Sequence, residues 1–166
     1  MFSILVPTFN NLEYLKVCLE SLNKNSKFVH QIIIHINEGS DGTVEYVKDL
    51  GIDYTFSEQN IGMPKALNTA SQLAQFDYIL ISHDDFYYCP GWDMEFEKQL
   101  KQIDHKKFYL SGTMVGAGQV KFNAGSTAQT FDETKLIQNL EKIKTFDFQG
   151  TTKCPGLIHR DVWNIL

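Results

Sequence analysis

His83, Asp84 and Asp85 stand together directly after the apolar run Tyr78-Ile79-Leu80-Ile81-Ser82. Two adjacent carboxylates in such a place suit a hard divalent cation. Mg2+ and Mn2+ take oxygen ligands, usually one or two protein carboxylates, and complete their shell with phosphate oxygens and water. The competing reading is a pair of acids that caps the next turn. Two more polar segments follow apolar runs in the same way: Pro7-Thr8-Phe9-Asn10 after Phe2 to Val6, and Asn37-Glu38-Gly39-Ser40-Asp41-Gly42-Thr43 after Ile32 to Ile36. In the latter, Glu38 can accept a hydrogen bond from the ring N–H of a base. Ser40 or Asp41 reads as a helix cap, and Gly42 as a conformational residue.

The elements that must position these groups alternate. Phe2 to Val6 reads as a buried strand stopped by Pro7, and a helix follows that Asn10 or Asn11 can cap, with Leu12, Leu15, Leu19 and Leu22 at three- and four-residue steps. Ile32 to Ile36 is a second strand and Val44 to Leu50 a helix ended by Gly51. Asp53 to Ser57 is a short third strand, Ala66 to Ala74 a helix that Pro64 helps to start, and Tyr78 to Ser82 the fourth strand. Strands separated by single helices call for right-handed crossovers and an α/β, Rossmann-like, doubly wound, mostly parallel sheet with helices on both faces. Its ligands belong at the carboxyl ends of the strands, where all three polar segments fall. Beyond Gly91 the pattern predicts a helix over 92–103, a strand over 108–111 and a Gly-rich stretch with Gly112, Gly116 and Gly118. A helix over 134–144 and a strand-to-helix unit over 154–166 follow. That last helix has no stop signal, so the expectation is a chain whose second half is incomplete.

With 166 residues, 43% of them apolar, and no low-complexity linker, the chain is expected to fold as one domain. Fifteen Lys and Arg against twenty Asp and Glu give a net charge of −5, with no basic cluster beyond Lys106-Lys107, which argues against nucleic acid as a partner. Cys18, Cys89 and Cys154 are odd in number and lack metal spacing, which fits a reducing compartment. No apolar run is long enough to span a bilayer, so the reading is a cytoplasmic protein, with peripheral association at the inner membrane face left open.

Taken in order, Pro7-Thr8-Phe9-Asn10, the segment Asn37 to Thr43, Asn60-Ile61-Gly62 with Ala66 and Asn68, and Asp84-Asp85 resemble family 2 glycosyltransferases of the GT-A fold. The resemblance is strong over residues 1–100, which it implies are the nucleotide-sugar half. It is looser over 101–166, where Cys154 to Arg160 is similar to the segment leading to the acceptor side. It implies a nucleotide-sugar donor, UDP-linked in preference to others, a glycan, lipid or protein acceptor, inversion at the sugar carbon, and Mn2+ or Mg2+. By position, Pro7, Thr8, Phe9 and Asn10 match the loop on the nucleoside, with Phe9 where a ring stacks on the base. Glu38 matches the acid that pairs with the base, and Asn60, Gly62 and Lys65 lie in the stretch that meets diphosphate or base. Asp85 matches the direct metal ligand and Asp84 a group nearer the ribose or a metal-bound water, or the two roles are exchanged.

Two departures stand out. Ser82 occupies the first position of the usual Asp-x-Asp-Asp, and the turn after the second strand is one residue shorter than Asp-Asp-Gly-Ser-x-Asp-Gly-Thr. The resemblance also implies a carboxylate base, expected beyond Leu166. Asp132, Glu133 and Asp161 are available acids, but the first two read as a solvated helix start and Asp161 as a cap of the final helix. Trp92 can stack on a sugar, although core burial is the commoner use of such a ring. His159 is the other candidate on the acceptor or sugar side.

Overall fold

The computed structural model describes residues 1–116, 120–144 and 154–165. Its elements run β1 (Ser3–Phe9), α1 (Leu12–Asn25), β2 (Gln31–Asn37), α2 (Thr43–Asp49), β3 (Asp53–Ser57) and α3 (Met63–Ser71). They continue with β4 (Tyr78–Ile81), α4 (Trp92–Leu100), β5 (Tyr109–Ser111), α5 (Glu133–Ile143), β6 (Gly156–His159) and α6 (Arg160–Trp163). The strands form one sheet in the order β3-β2-β1-β4-β6-β5. The first four are parallel, and β6 lies antiparallel between β4 and β5. This is the doubly wound, mostly parallel sheet that the alternation of strands and helices calls for.

The near-continuous apolar sequence of β1 follows from its central place, because a parallel strand covered on both faces needs no polar side. Phe2, Ile4 and Val6 turn toward α1 and α2, packing with Leu15, Cys18, Leu19, Leu22 and Val47. Leu5 turns the other way, into a second cluster with Ile33, Leu67, Ala70 and Ile79.

Three local expectations are corrected. Pro7 does not end the first strand, which continues in register with β2 through Pro7↔His35 to Phe9↔Asn37. The Leu5 carbonyl accepts from the Ser82 N–H on the β4 side. Alternate residues of a strand aim their peptide groups at the same neighbour, so Pro7 also faces that side. There β4 has already stopped at Ile81, opposite Leu5, and the missing proline N–H costs the ladder nothing. Second, neither Asn10 nor Asn11 caps α1 with its side chain. Asp41 does so from the next loop, with Oδ2 accepting from the Leu12 N–H (2.8 Å) and Oδ1 from the Thr43 N–H (3.2 Å) and hydroxyl (2.6 Å). Asp41 thus joins the starts of two helices, and although burial opposes it, these donors hold its carboxyl below the usual range. Third, α6 is capped by His159, whose Nδ1 accepts from the Asp161 N–H, while the Asp161 side chain pairs with Lys106 at 2.8 Å.

Helix α5 is fixed to the parallel half by Glu133, which meets Lys24 of α1 at 2.8 Å and the Tyr87 hydroxyl at 2.6 Å. Gly118 of the Gly-rich stretch lies outside the described residues.

Candidate functional site

The unequal lengths of β1 and β4 make a step in the sheet. Because Ile81 pairs with Leu5, β1 continues beyond β4 to Phe9, and the recess above the end of β4 is an open cleft of about 300 Å³. Pro7, Thr8, Phe9 and Asn11 form one wall, Asn37, Asn60 and Met63 a second, and His83 and Asp84 a third. All three polar segments of the sequence therefore meet here. Thr8 is 2% exposed, and its Oγ1 is buried with no hydrogen-bonding partner among the described residues. A buried hydroxyl left unpaired costs about 1–3 kcal/mol. Phe9 presents a ring that is 46% exposed.

His83, Asp84 and Asp85 offer ligand atoms that all lie within 4.8 Å of one another. The Asp84 side chain is almost buried and that of Asp85 about half exposed. His83 Nδ1 sits 3.8 Å from Asp84 and 3.7 Å from Asp85, beyond hydrogen-bonding distance of either carboxylate. The adjacent Asp84 and Asp85 raise the proton affinity of His83 against the opposing effect of burial. Two carboxylates with an imidazole beside them fit Mn2+ or Mg2+ chemically; of the two, Asp84 lines the cleft and Asp85 does not.

The facing wall is held by Asn37, at the end of β2 and 4% exposed. Its Nδ2 donates to the Thr8 carbonyl (3.1 Å) and its Oδ1 accepts from the Ile61 N–H (2.9 Å). The Asn60 Oδ1 in turn accepts from the Gly62 N–H. One buried amide thus fixes the end of β1 and the loop before α3. Asn10 and Glu38 do not line the cleft. They sit at its rim, both with left-handed backbone (φ 46° and 63°), a conformation that costs about 1–3 kcal/mol per residue outside glycine. They lock each other in place: Asn10 Nδ2 donates to Glu38 Oε1 (3.1 Å), and Asn10 Oδ1 accepts from the Ser40 N–H (2.9 Å). Next to them Gly39, at φ 70°, has no room for a side chain, since a Cβ would lie 2.7 Å from Val44 and 2.8 Å from Ile36.

Of the other sequence candidates, Gly62 precedes α3 at φ 78° and Lys65 is exposed on that helix near the cleft. The structure does not bring Trp92 or His159 to the site. Trp92 packs among Phe2, His30, Tyr88 and Phe96, with its Nε1 donating to the Ser26 hydroxyl, because burying the ring there fills the core at the amino end of the sheet. His159 pairs in the ladder with Tyr78, the first residue of β4, so it stands at the far end of the sheet from Asp84. Sequence reasoning missed Asn11 and Met63 as cleft residues, and it placed Asn37 and His83 in ligand-facing segments without giving either a role. A polar residue closing the run Ile32 to Ile36 was the available sign for Asn37, whereas nothing local marks Met63.

The family described as Glycosyl transferase family 2 matches residues 3–158. The chain is 26% identical over 164 residues to the uncharacterized glycosyltransferase MG025 of Mycoplasma genitalium, covering 92% of this chain and 52% of the relative. It therefore spans about half of that protein's length. S. aureus TarS 1–349 in complex with UDP-GlcNAc has a similar fold, with a TM-score of 0.62 at 21% identity over 74% of this chain and 37% of TarS 1–349. So does the mannosyltransferase PcManGT from Pyrobaculum calidifontis in complex with GDP-Man and Mn2+, with a TM-score of 0.56 at 19% identity over 66% of this chain and 34% of the other.

Proposed function

The chain belongs to glycosyl transferase family 2, and from that premise we propose that it binds a nucleotide sugar, UDP-linked in preference to others, beside Mn2+ or Mg2+. The whole protein then transfers the sugar, with inversion, to a hydroxyl of a glycan, lipid or protein acceptor. The observation that carries the reading is the meeting of Pro7, Thr8, Phe9, Asn37 and Asp84 in one cleft at the carboxyl ends of the strands. TarS with UDP-GlcNAc and PcManGT with GDP-Man and Mn2+ support the ligand class.

In this reading Pro7, Thr8 and Phe9 receive the nucleoside, with the exposed Phe9 ring against the base. Asn60, Gly62 and Lys65 lie along the nucleotide, and Asn10 with Glu38 closes its rim. Asp85 is the direct metal ligand and Asp84 the carboxylate nearer the ribose. A bound cation would supply charge stabilisation to the leaving diphosphate. Residues 1–100 are the donor half and 101–166 the beginning of the acceptor side. The protein works in the cytoplasm, at or near the inner membrane face; no helix among the described residues is long and apolar enough to cross a membrane.

One observation favours a second reading, a module that holds nucleotide sugar without transferring it. The three acids available as a base are engaged elsewhere: Asp132 accepts from the Lys135 N–H, Glu133 is held by Lys24 and Tyr87, and Asp161 by Lys106. The principal reading leaves the base to sequence beyond Leu166. Turnover of a UDP-sugar by this chain alone would remove the module from consideration.

The binding test is titration calorimetry with UDP and with GDP, with and without Mn2+, on the wild type and Asp85→Ala. The expected outcome is Mn2+-dependent UDP binding that weakens by about 100-fold or more in the variant, since loss of a direct ligand should cost at least the upper end of what partners outside the ligand shell cost. Preference for GDP would replace the proposed donor. A folded chain that binds neither nucleotide would sink the reading.

A further inference from the structure

The turn that carries the two carboxylates is braced from beneath. The Tyr88 hydroxyl donates to Ser82 Oγ at 2.6 Å, linking the residue before the turn to the residue after it. Ser82 Oγ and Cys18 Sγ both reach the His83 carbonyl, each at 3.4 Å. Tyr88 is itself anchored to α1, its N–H donating to Ser21 Oγ (2.9 Å) and its carbonyl accepting from Asn25 Nδ2 (2.7 Å). Ser82 and Cys18 are fully buried, and Tyr88 is 4% exposed. Burial pushes the Tyr88 phenol and the Cys18 thiol well above their ordinary values, so both remain protonated donors.

These contacts converge on one peptide plane. The His83 carbonyl belongs to the peptide that leads into Asp84, and a carbonyl held from below fixes the rotation of that plane. The directions in which Asp84 and Asp85 leave the chain depend on that rotation. Packing alone does not account for the arrangement, because a phenylalanine would fill the position of the Tyr88 ring equally well. Nor does the cleft account for it, since none of the three side chains reaches the cleft.

We infer that Tyr88, Ser82 and Cys18 form a buried relay that positions the Asp84 and Asp85 carboxylates for a divalent cation, so that cation affinity is set in part by hydroxyl and thiol groups that never touch it. The serine at position 82 is then the hinge of the relay: its hydroxyl oxygen accepts the tyrosine's hydrogen bond on one side, and its O–H donates to the His83 carbonyl on the other. These are positioning residues, and their effect belongs to metal affinity. Partners outside the ligand shell typically change metal affinity by 10–100-fold.

The inference rests on the metal reading above, and the experiment separates the two. The measured quantity is the Mn2+ concentration that gives half-maximal UDP binding, determined by calorimetry for the wild type, Tyr88→Phe, Ser82→Ala, the double variant and Asp85→Ala. Thermal unfolding is followed in parallel. The relay predicts a rise of about tenfold in that concentration for Tyr88→Phe, with UDP affinity at saturating Mn2+ within about twofold of wild type. The double variant should be no worse than the more affected single variant, because both changes break one chain of hydrogen bonds. Tyr88→Phe and Ser82→Ala variants that fold and keep the wild-type Mn2+ requirement would overturn the relay while leaving the metal site standing. Wild-type UDP binding indifferent to Mn2+ would overturn both. If Ser82→Ala does not fold, Tyr88→Phe, which keeps the ring, and Cys18→Ala decide the matter.

Discussion

The two ends of the sheet each bring a histidine together with carboxylate, and they use the pair in opposite ways. At the amino end, Asp93 is fully buried, and its Oδ2 accepts from the Lys27 N–H (2.7 Å), the Phe28 N–H (2.9 Å) and His30 Nε2 (3.1 Å). The other His30 nitrogen accepts from the Phe2 N–H at 3.1 Å. With one nitrogen donating and the other accepting, the ring is fixed as a neutral tautomer. Burial lowers its proton affinity although Asp93 pulls the other way. At the carboxyl end, His83 stands 3.7–3.8 Å from two carboxylates in a partly open cleft, and its proton affinity is raised. Saturated hydrogen bonding makes the first pair a rivet. Incomplete coordination leaves the second able to take a ligand.

The comparison would break most sharply at Asp93. Asp93→Ala removes the buried carboxylate that holds the Lys27 and Phe28 N–H groups and His30, and should cost about 3 kcal/mol or more in urea unfolding. Asp85→Ala, at a half-exposed position, should change stability by no more than about 0.5 kcal/mol. Equal losses at the two sites would mean that the contrast between them is false. A smaller effect with two opposite signs is expected at Thr8. Thr8→Val keeps the shape and removes the unpaired hydroxyl, so the free protein should gain about 1 kcal/mol, while UDP binding weakens by roughly five- to tenfold. A variant that loses both stability and affinity would show that the hydroxyl is already satisfied in the free chain.

The smallest effect concerns pH. In the unfolded chain His30 titrates near its ordinary value of 6.5, and in the folded protein at a lower value. Between the two the unfolded state holds more protons, so this group contributes stability that is present at pH 7 and is lost as the pH falls below 6.5. Glu97 and the Met1 amine also face it, with opposing signs. His35, lowered by burial, adds to the loss, and His83, raised, subtracts from it. His30→Gln should flatten the decline in stability between pH 7 and pH 5. An unchanged slope would assign the decline to other groups.

Much of this was legible in the residues, for local reasons. The three apolar runs followed by polar segments place β1, β2 and β4 and their ligand-facing ends, since a parallel strand covered on both faces is apolar throughout and its loops must satisfy backbone polar groups. What escaped depended on partners distant in sequence. Pro7 reads as a stop until the early end of β4 is known. Trp92 reads more readily as core than as site and His159 as a candidate on the acceptor or sugar side, and only packing against Phe2 and pairing with Tyr78 decides.

By itself, then, the sequence determined the α/β layering, the parallel course of the first four strands and the gathering of Thr8, Asn37 and Asp84 at one end of the sheet, because alternation of strand and helix leaves few ways to cross over. Only the tertiary structure decided that Asp41 caps a helix other than its own, that β6 enters antiparallel between β4 and β5, and that Tyr88 and Cys18 brace the turn bearing Asp84 and Asp85. Those features are contacts between segments far apart along the chain, and a hydrogen bond across 65 residues leaves no periodicity for local pattern to reveal.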